Sequence, residues 1–422
     1  MQVSRLKVIL LGLMLQSQTV VQASQGLSLQ QAELIAVQRD ALSKSYEKKA
    51  QAYSEQAIAS EAWPDPRLKF GAQAVPIDSF DLEQEPMTQV ILGYQQMLPR
   101  GDSNELSFAA INAMSRMQTA KSQRREREVL MKVRQAWLDV LLQERSIRII
   151  QANRHLFVKM LEISESFYAS GRQQQQDVVQ AQLEISLVDD RLEQAHSKLI
   201  VSRASLAKWV GEDNLQNGLD DGQLNMSEHD LPNMQLIEAT LEKNPEFIAA
   251  TEKIISQQKK LSIADEQYDP QWGFDVNYGR RSGENPDGSD RADFLTAMVT
   301  LDLPIFTENK QDRTLSAEKQ RLQATRYEQL DIKRELSKRL KNVMGRLQKL
   351  KDRQQLHKDK ILPQAKQNAE VSLRGYQSGV VSFFTLTRAR VTELNTRLSN
   401  LRINVAYKKA HAELQYLIGE KS

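Results

Sequence analysis

Apolar residues step along this chain in two rhythms. Leu336, Leu340, Val343, Leu347 and Leu350 recur at alternating steps of four and three, and Leu394, Leu398, Leu401 and Val405 do the same. That spacing is the seam of a helix that packs lengthwise against another helix. Gly101 to Phe167 holds no proline and no internal glycine. It predicts one helix of about 100 Å, at roughly 1.5 Å per residue. Phe306 to Arg374, interrupted only by Gly345 and Pro363, predicts a second. Shorter helices are expected over about 28–62, 172–210, 233–268 and 383–418. Each is near half the length of the long ones, so two of them stacked end to end match one long helix.

The second rhythm has period two. After Trp63-Pro-Asp-Pro66, Leu68, Phe70, Ala72 and Ala74 alternate with Arg67, Lys69, Gly71 and Gln73. An acidic loop follows (Asp78, Asp81, Glu83, Glu85), then a return run with Val90, Leu92 and Tyr94 on one face. Trp272, Phe274, Val276 and Tyr278 alternate in the same way with Gln271, Gly273, Asp275 and Asn277, and Leu295, Ala297, Val299, Leu301 and Leu303 share a face in the run after them. Runs of about 9–11 residues with this alternation have the length and pattern of transmembrane β-strands, and their aromatic ends suit a membrane interface. Leu68, Phe70, Trp272, Phe274, Leu295 and Val299 are expected to face lipid, and Lys69, Gln73, Asp275 and Asn277 a lumen. A pair of soluble hairpins would read alike.

These elements occur twice. Tyr168-Ala-Ser-Gly171, Ala181, Ala204, Leu206 and Gly211-Glu212 match Tyr376-Gln-Ser-Gly379, Ala389, Ala412, Leu414 and Gly419-Glu420 at one constant spacing. With small shifts, Asp40-Ala41 pairs with Asn244-Pro245, Asp65-Pro66 with Asp269-Pro270, and Leu98-Pro99 with Leu303-Pro304. The chain is therefore expected to be a duplicated unit: a first repeat over 24–210 with its hairpin at about 67–98, a middle segment over 211–232, and a second repeat over 233–422 with its hairpin at about 271–303. Four strands cannot close a barrel, because small barrels need about eight, and open edges are not tolerated in lipid. Further copies must complete them; two would give eight strands and three would give twelve.

Composition narrows the picture. The 422 residues carry a net charge of only +3 and no cysteine. Disulfides and thiolate metal sites are excluded, and no large basic block points to nucleic acid. Arg5 and Lys7, the apolar run Val8 to Leu15, and Val21-Gln22-Ala23 read as a secretion signal over 1–23, cleaved after Ala23. No nucleophile motif, phosphate loop or HExxH is present. The five histidines (155, 196, 229, 357, 411) do not pair at ligand spacing. Met226, His229 and Met234 lie close enough for soft-metal ligation, but read more simply as a polar linker. No catalytic residue, metal site or cofactor is expected, and the chain does not read as an enzyme.

Trp63-Pro-Asp-Pro-Arg-Leu68, Gln95-Gln-Met-Leu-Pro99, Tyr168-Ala-Ser-Gly171 with Asp177-Val-Val-Gln-Ala181, Ile361-Leu-Pro-Gln-Ala365 and Tyr376-Gln-Ser-Gly379 form an ordered set. On these motifs the chain resembles the outer-membrane efflux proteins, the TolC-like family. Val75-Pro-Ile-Asp78 through Glu85-Pro-Met-Thr88 is similar to the heavy-metal efflux branch. The resemblance implies a homotrimer with a twelve-stranded barrel in the outer membrane and a long coiled-coil α-helical barrel in the periplasm. It also implies a passive exit duct working with a periplasmic adaptor and an inner-membrane transporter of the resistance-nodulation-division class. Tyr168, Gly171, Asp177, Tyr376, Gly379, Phe383 and Phe384 then form the periplasmic tips that meet the adaptor. Thr385 and Arg388 stand where many family members carry acidic gate residues, and Asp177 matches an acidic family position. Arg388 is expected to pair with Asp177 or Glu184 of the other hairpin. The competing readings are a duct for protein or drug export on the same fold, and a periplasmic coiled-coil scaffold that never enters the membrane.

Overall fold

The structure, a computed structural model, describes residues 26–172, 174–220 and 240–419. The expected signal segment, the Met226/His229/Met234 cluster, most of the middle segment and Glu420 lie outside the described residues. The elements follow in the order α1 (Leu29–Arg39), α2 (Ala41–Glu61), β1 (Arg67–Gln73), β2 (Gln89–Met97), α3 (Ser103–Ala169), α4 (Gln175–Val210), α5 (Pro245–Asp265), β3 (Gln271–Arg280), β4 (Phe294–Asp302), α6 (Gln311–Leu356), a π-helical turn (His357–Ile361), α7 (Leu362–Gln377) and α8 (Phe383–Ile418).

The helices lie side by side in four columns. The 67-residue α3 runs the full length. Beside it α2 and α4 cover opposite halves; on its other side α5 and α8 do the same, and α6 with α7 packs beyond them. The heptad positions explain this. Ala181, Val188 and Ala195 of α4 are buried toward α3, and Leu336, Leu340, Val343, Leu347 and Leu350 of α6 bury against Ile403, Ala410, Leu414 and Leu417 of α8. Mid-length, Val133, Trp137, Leu138 and Leu141 of α3 pack on Ala32 and Ala36 of α1 and on Leu206 and Val210 of α4. The Trp137 indole nitrogen donates to the carbonyl of Leu27 at 3.2 Å.

The half-length columns are joined by matching caps. Asn244 starts α5: its side-chain oxygen accepts from the Glu246 N–H at 2.9 Å, and its amide donates at 2.9 Å to the carbonyl of Leu417, near the end of α8. Asp40, its counterpart, caps α2 through the Ser43 N–H at 2.8 Å and holds Arg125 of α3 at 2.9 Å. The stretch expected as one helix over 28–62 is thus two, because Asp40 adopts an extended conformation and opens a new N-terminus there. The expected helix from Phe306 also differs. It begins at Gln311 and widens into the π turn at His357–Ile361. Pro363 has no N–H and its ring clashes with the carbonyl four residues back, and a π turn absorbs that defect without ending the helix.

The four strands form one antiparallel sheet in the order β1-β2-β3-β4. Register puts Leu68, Tyr94, Val276 and Ala297 in one row, and Phe70, Leu92, Tyr278 and Leu295 in the next. The opposite face carries Lys69, Gly93, Asn277 and Thr296 in register.

Asn244 joins two helices, so its loss should be felt beyond one cap. Asn244→Ala removes an N-cap, about 0.5–2 kcal/mol, and leaves the Leu417 carbonyl without its donor, about 1–3 kcal/mol. Thermal melting should show a lower midpoint for Asn244→Ala and an intermediate one for Asn244→Asp, which keeps the cap acceptor alone. An unchanged Asn244→Ala midpoint would contradict the joint.

Candidate functional sites at the hairpin tips and on the sheet

Both hairpins of long helices reverse in the same way. Gly171 has φ +69° and Gly379 φ +75°, the left-handed region open to glycine. Arg172 N–H donates to the Phe167 carbonyl at 2.9 Å, and Val380 N–H to Gly375 at 2.9 Å, which closes off the preceding helix in each repeat. The Ser382 hydroxyl then accepts from the Thr385 N–H at 3.3 Å and starts α8.

The side chains of the two turns do not share one environment. Tyr168 is exposed, whereas Tyr376 is fully buried (0%) between Phe167 and Phe383, with ring centroids at 5.7 and 5.5 Å. Phe383 is 2% exposed and Phe384 68%. This corrects the expectation that Tyr376 and Phe383 present surface to a partner: α7 and α8 meet here, and both rings point into the seam. Tyr168, Val179, Val380 and Phe384 are among the apolar groups that the tips leave outside.

Asp177 lies in the first turn of α4, where a carboxylate suits the helix dipole. The Tyr376 hydroxyl reaches it at 3.5 Å and lies 3.2 Å from the Ser164 hydroxyl. One tyrosine of the second repeat therefore ties together both helices of the first hairpin. Sequence reasoning did not single out Ser164, because a serine on a buried helix face carries no motif. Burial pushes the Asp177 carboxyl above its ordinary range, with the Tyr376 hydroxyl opposing that shift.

Thr385 and Arg388 are both exposed on α8. Arg388 makes no ion pair among the described residues, so the expected contact with Asp177 or Glu184 does not form within the chain. Asp177 faces Tyr376, and Glu184 accepts from Gln180 at 3.0 Å. The buried charges of α8 lie elsewhere: Glu393, 3% exposed, bonds Arg390 at 2.9 Å and Arg397 at 2.6 Å.

On the sheet, Lys69 pairs with Asp275, and Asn277 donates to the same carboxylate. Gly93 makes room for them, since a Cβ there would collide with the Asn277 side chain. Gln73 sits on this face at the end of β1, 3.5 Å from Gln89. The other face exposes Leu68, Phe70, Trp272, Phe274, Leu295 and Val299. Among the described residues, no three His, Asp or Glu side chains gather as a metal site, and no helix is long and apolar enough to cross a membrane.

Residues 236–420 match the family described as Outer membrane efflux protein. No curated protein matches the chain. Among solved structures, the fold is similar to CusC, described with transmembrane channel formation (TM-score 0.78, 14% identity, 92% of this chain and 91% of that one). It is also similar to the outer membrane protein VceC of Vibrio cholerae (0.74, 17%, 93% and 96%) and to the CmeC outer membrane channel of Campylobacter jejuni (0.76, 13%, 93% and 85%). The family match covers less than half of the chain, and over nearly its whole length the chain shares the fold of these solved channels.

The raised Asp177 carboxyl sets a pH dependence for the tip. The packed state disfavours its charged form. That penalty is absent below the unfolded-state pKa, about 3.9, and fully present once the pH exceeds the raised value in the packed tip. Tip opening measured by native-state hydrogen exchange, corrected for intrinsic rates, should therefore become harder on acidification from pH 7 to 4. Asp177→Asn should remove that dependence; a tip that loosens on acidification would contradict it.

Proposed function

We propose that the protein is the outer-membrane channel of a tripartite efflux pump: a homotrimer that conducts substrate passively and catalyses nothing. The observation that carries this is the sheet. One face is apolar in every strand and exposed, the other holds Lys69, Asp275 and Asn277, and both edge strands lack a neighbour on their outer side among the described residues. A periplasmic scaffold has no use for such a face. Three copies would close twelve strands around the polar side, and the four helical columns of each copy would continue as a twelve-column tunnel.

In this reading the tips meet the adaptor through Tyr168, Val380 and Phe384, while Tyr376 and Phe383 hold the tip together behind them. Three copies of Thr385 and Arg388 would ring the narrow end, with Arg388 reaching Asp177 or Glu184 of a neighbouring copy as a closing contact. The inner-membrane partner, of the resistance-nodulation-division class, supplies the energy. Heavy-metal ions as substrate rest on the resemblance of the first external loop, Val75-Pro-Ile-Asp78 through Glu85-Pro-Met-Thr88.

The facing has a direct test. An Arg on the lipid face costs about 2–4 kcal/mol at the bilayer midplane. Phe274→Arg should lower the amount of protein recovered in the outer-membrane fraction, and Asn277→Arg should leave it near wild type. Equal insertion of the two would contradict the facing.

A further inference from the structure

A cavity of about 300 Å³ opens at the head of α6, between α6 and the end of α5. Its volume is at the lower end for small-molecule sites. Lys260 and Lys310 line it, and neither has an ion-pair partner among the described residues. Glu318, the acid in the wall, is already held by Gln257 and Arg321. Lys310 is the N-cap of a 46-residue helix and supplies no capping side-chain bond. Asp312 stands in the first turn of that helix and its N–H bonds the Thr307 carbonyl at 3.1 Å, so the helix end adds only its remaining N–H groups to the charge of the two lysines. Gln311, only 7% exposed, also lines the cavity, and its side-chain oxygen has no hydrogen-bond donor. A buried acceptor of this kind calls for a donor from an occupant.

The surroundings say where an occupant would come from. Lys310 follows Phe306 by four residues, at most about 14 Å of chain. Phe306 is 90% exposed and Ile305 71%; with Leu303 and Trp272 they form an apolar, aromatic band where the sheet meets the helices. That is the level of a membrane interface.

We infer that this cavity binds the headgroup of a phospholipid from the periplasmic leaflet of the outer membrane. The phosphodiester sits between Lys260, Lys310 and the N-terminus of α6. The headgroup's own N–H or O–H donates to Gln311, and the acyl chains lie along Phe306, Ile305, Leu303 and Trp272. The inference rests on the outer-membrane reading.

Native mass spectrometry of the delipidated, detergent-solubilised full chain tests it, with phosphatidylethanolamine, phosphatidylglycerol, diacylglycerol and inorganic phosphate as probes. Both phospholipids should give an adduct on each chain, diacylglycerol should not, and millimolar phosphate should not displace them. The Lys260→Ala/Lys310→Ala double variant should lose phospholipid binding by about tenfold or more, the scale of removing charge-assisted contacts. Its oligomer mass is checked in the same spectra, and the single variants stand in if the double variant fails to assemble. Equal adducts on wild type and variants, or equal binding of diacylglycerol, would overturn the inference. Displacement by phosphate would make this a free-anion site and also overturn it. Recovery of the wild type from the outer-membrane fraction separates the two readings: inserted protein without adducts sinks only the lipid site, whereas protein absent from the membrane sinks the channel.

Discussion

The outer strands of the sheet, β1 and β4, each leave one edge of backbone N–H and C=O groups without a partner among the described residues. In water such an edge is a hazard; in hydrocarbon each unsatisfied group costs several kcal/mol. The face beside those edges is apolar from Phe70 to Leu295. On the channel reading, the face would draw the sheet into lipid and the edges would forbid it to stay there alone. In the proposed trimer, closure with other copies would resolve both demands, and the helical columns would inherit the resulting symmetry.

The two halves of the chain use matching devices. Asp40 and Asn244 start equivalent helices, and Gly171 and Gly379 reverse equivalent hairpins with the same backbone bonds. The repeat is a property of the backbone more than of the side chains. Tyr168 and Tyr376 occupy the same place in the same turn, yet one is exposed and the other is fully buried. The second hairpin thereby gains an internal anchor, Tyr376 on Ser164 and Asp177, that the first lacks. The tip is tied from one hairpin to the other through this tyrosine.

Much of this was legible in the sequence, for physical reasons. Period-two runs bounded by Asp-Pro and Leu-Pro gave the strands, and long stretches nearly free of proline and glycine, with heptad spacing over Leu336–Leu350 and Leu394–Val405, gave the helices. What escaped depended on neighbours. Phe383 and Phe384 are adjacent and chemically alike, and only the phase of α8 against α7 decides which one is buried. The π turn before Pro363 carries the helix past the proline, a local change of winding that no spacing in the sequence announced. Arg388 stood out by its place in a motif, yet among the described residues no ion-pair partner meets it. The cavity at Lys310 has no motif, because it is assembled from the ends of two helices 43 residues or more apart, such as Gln267 and Lys310.

The central claim is that the sheet is one part of a closed barrel. The most direct measurement is the mass of detergent-extracted protein with the detergent contribution subtracted, by light scattering or sedimentation. The account predicts a single species of three chains, stable to dilution in the detergent. A monodisperse monomer or dimer would contradict it, since neither could close twelve strands.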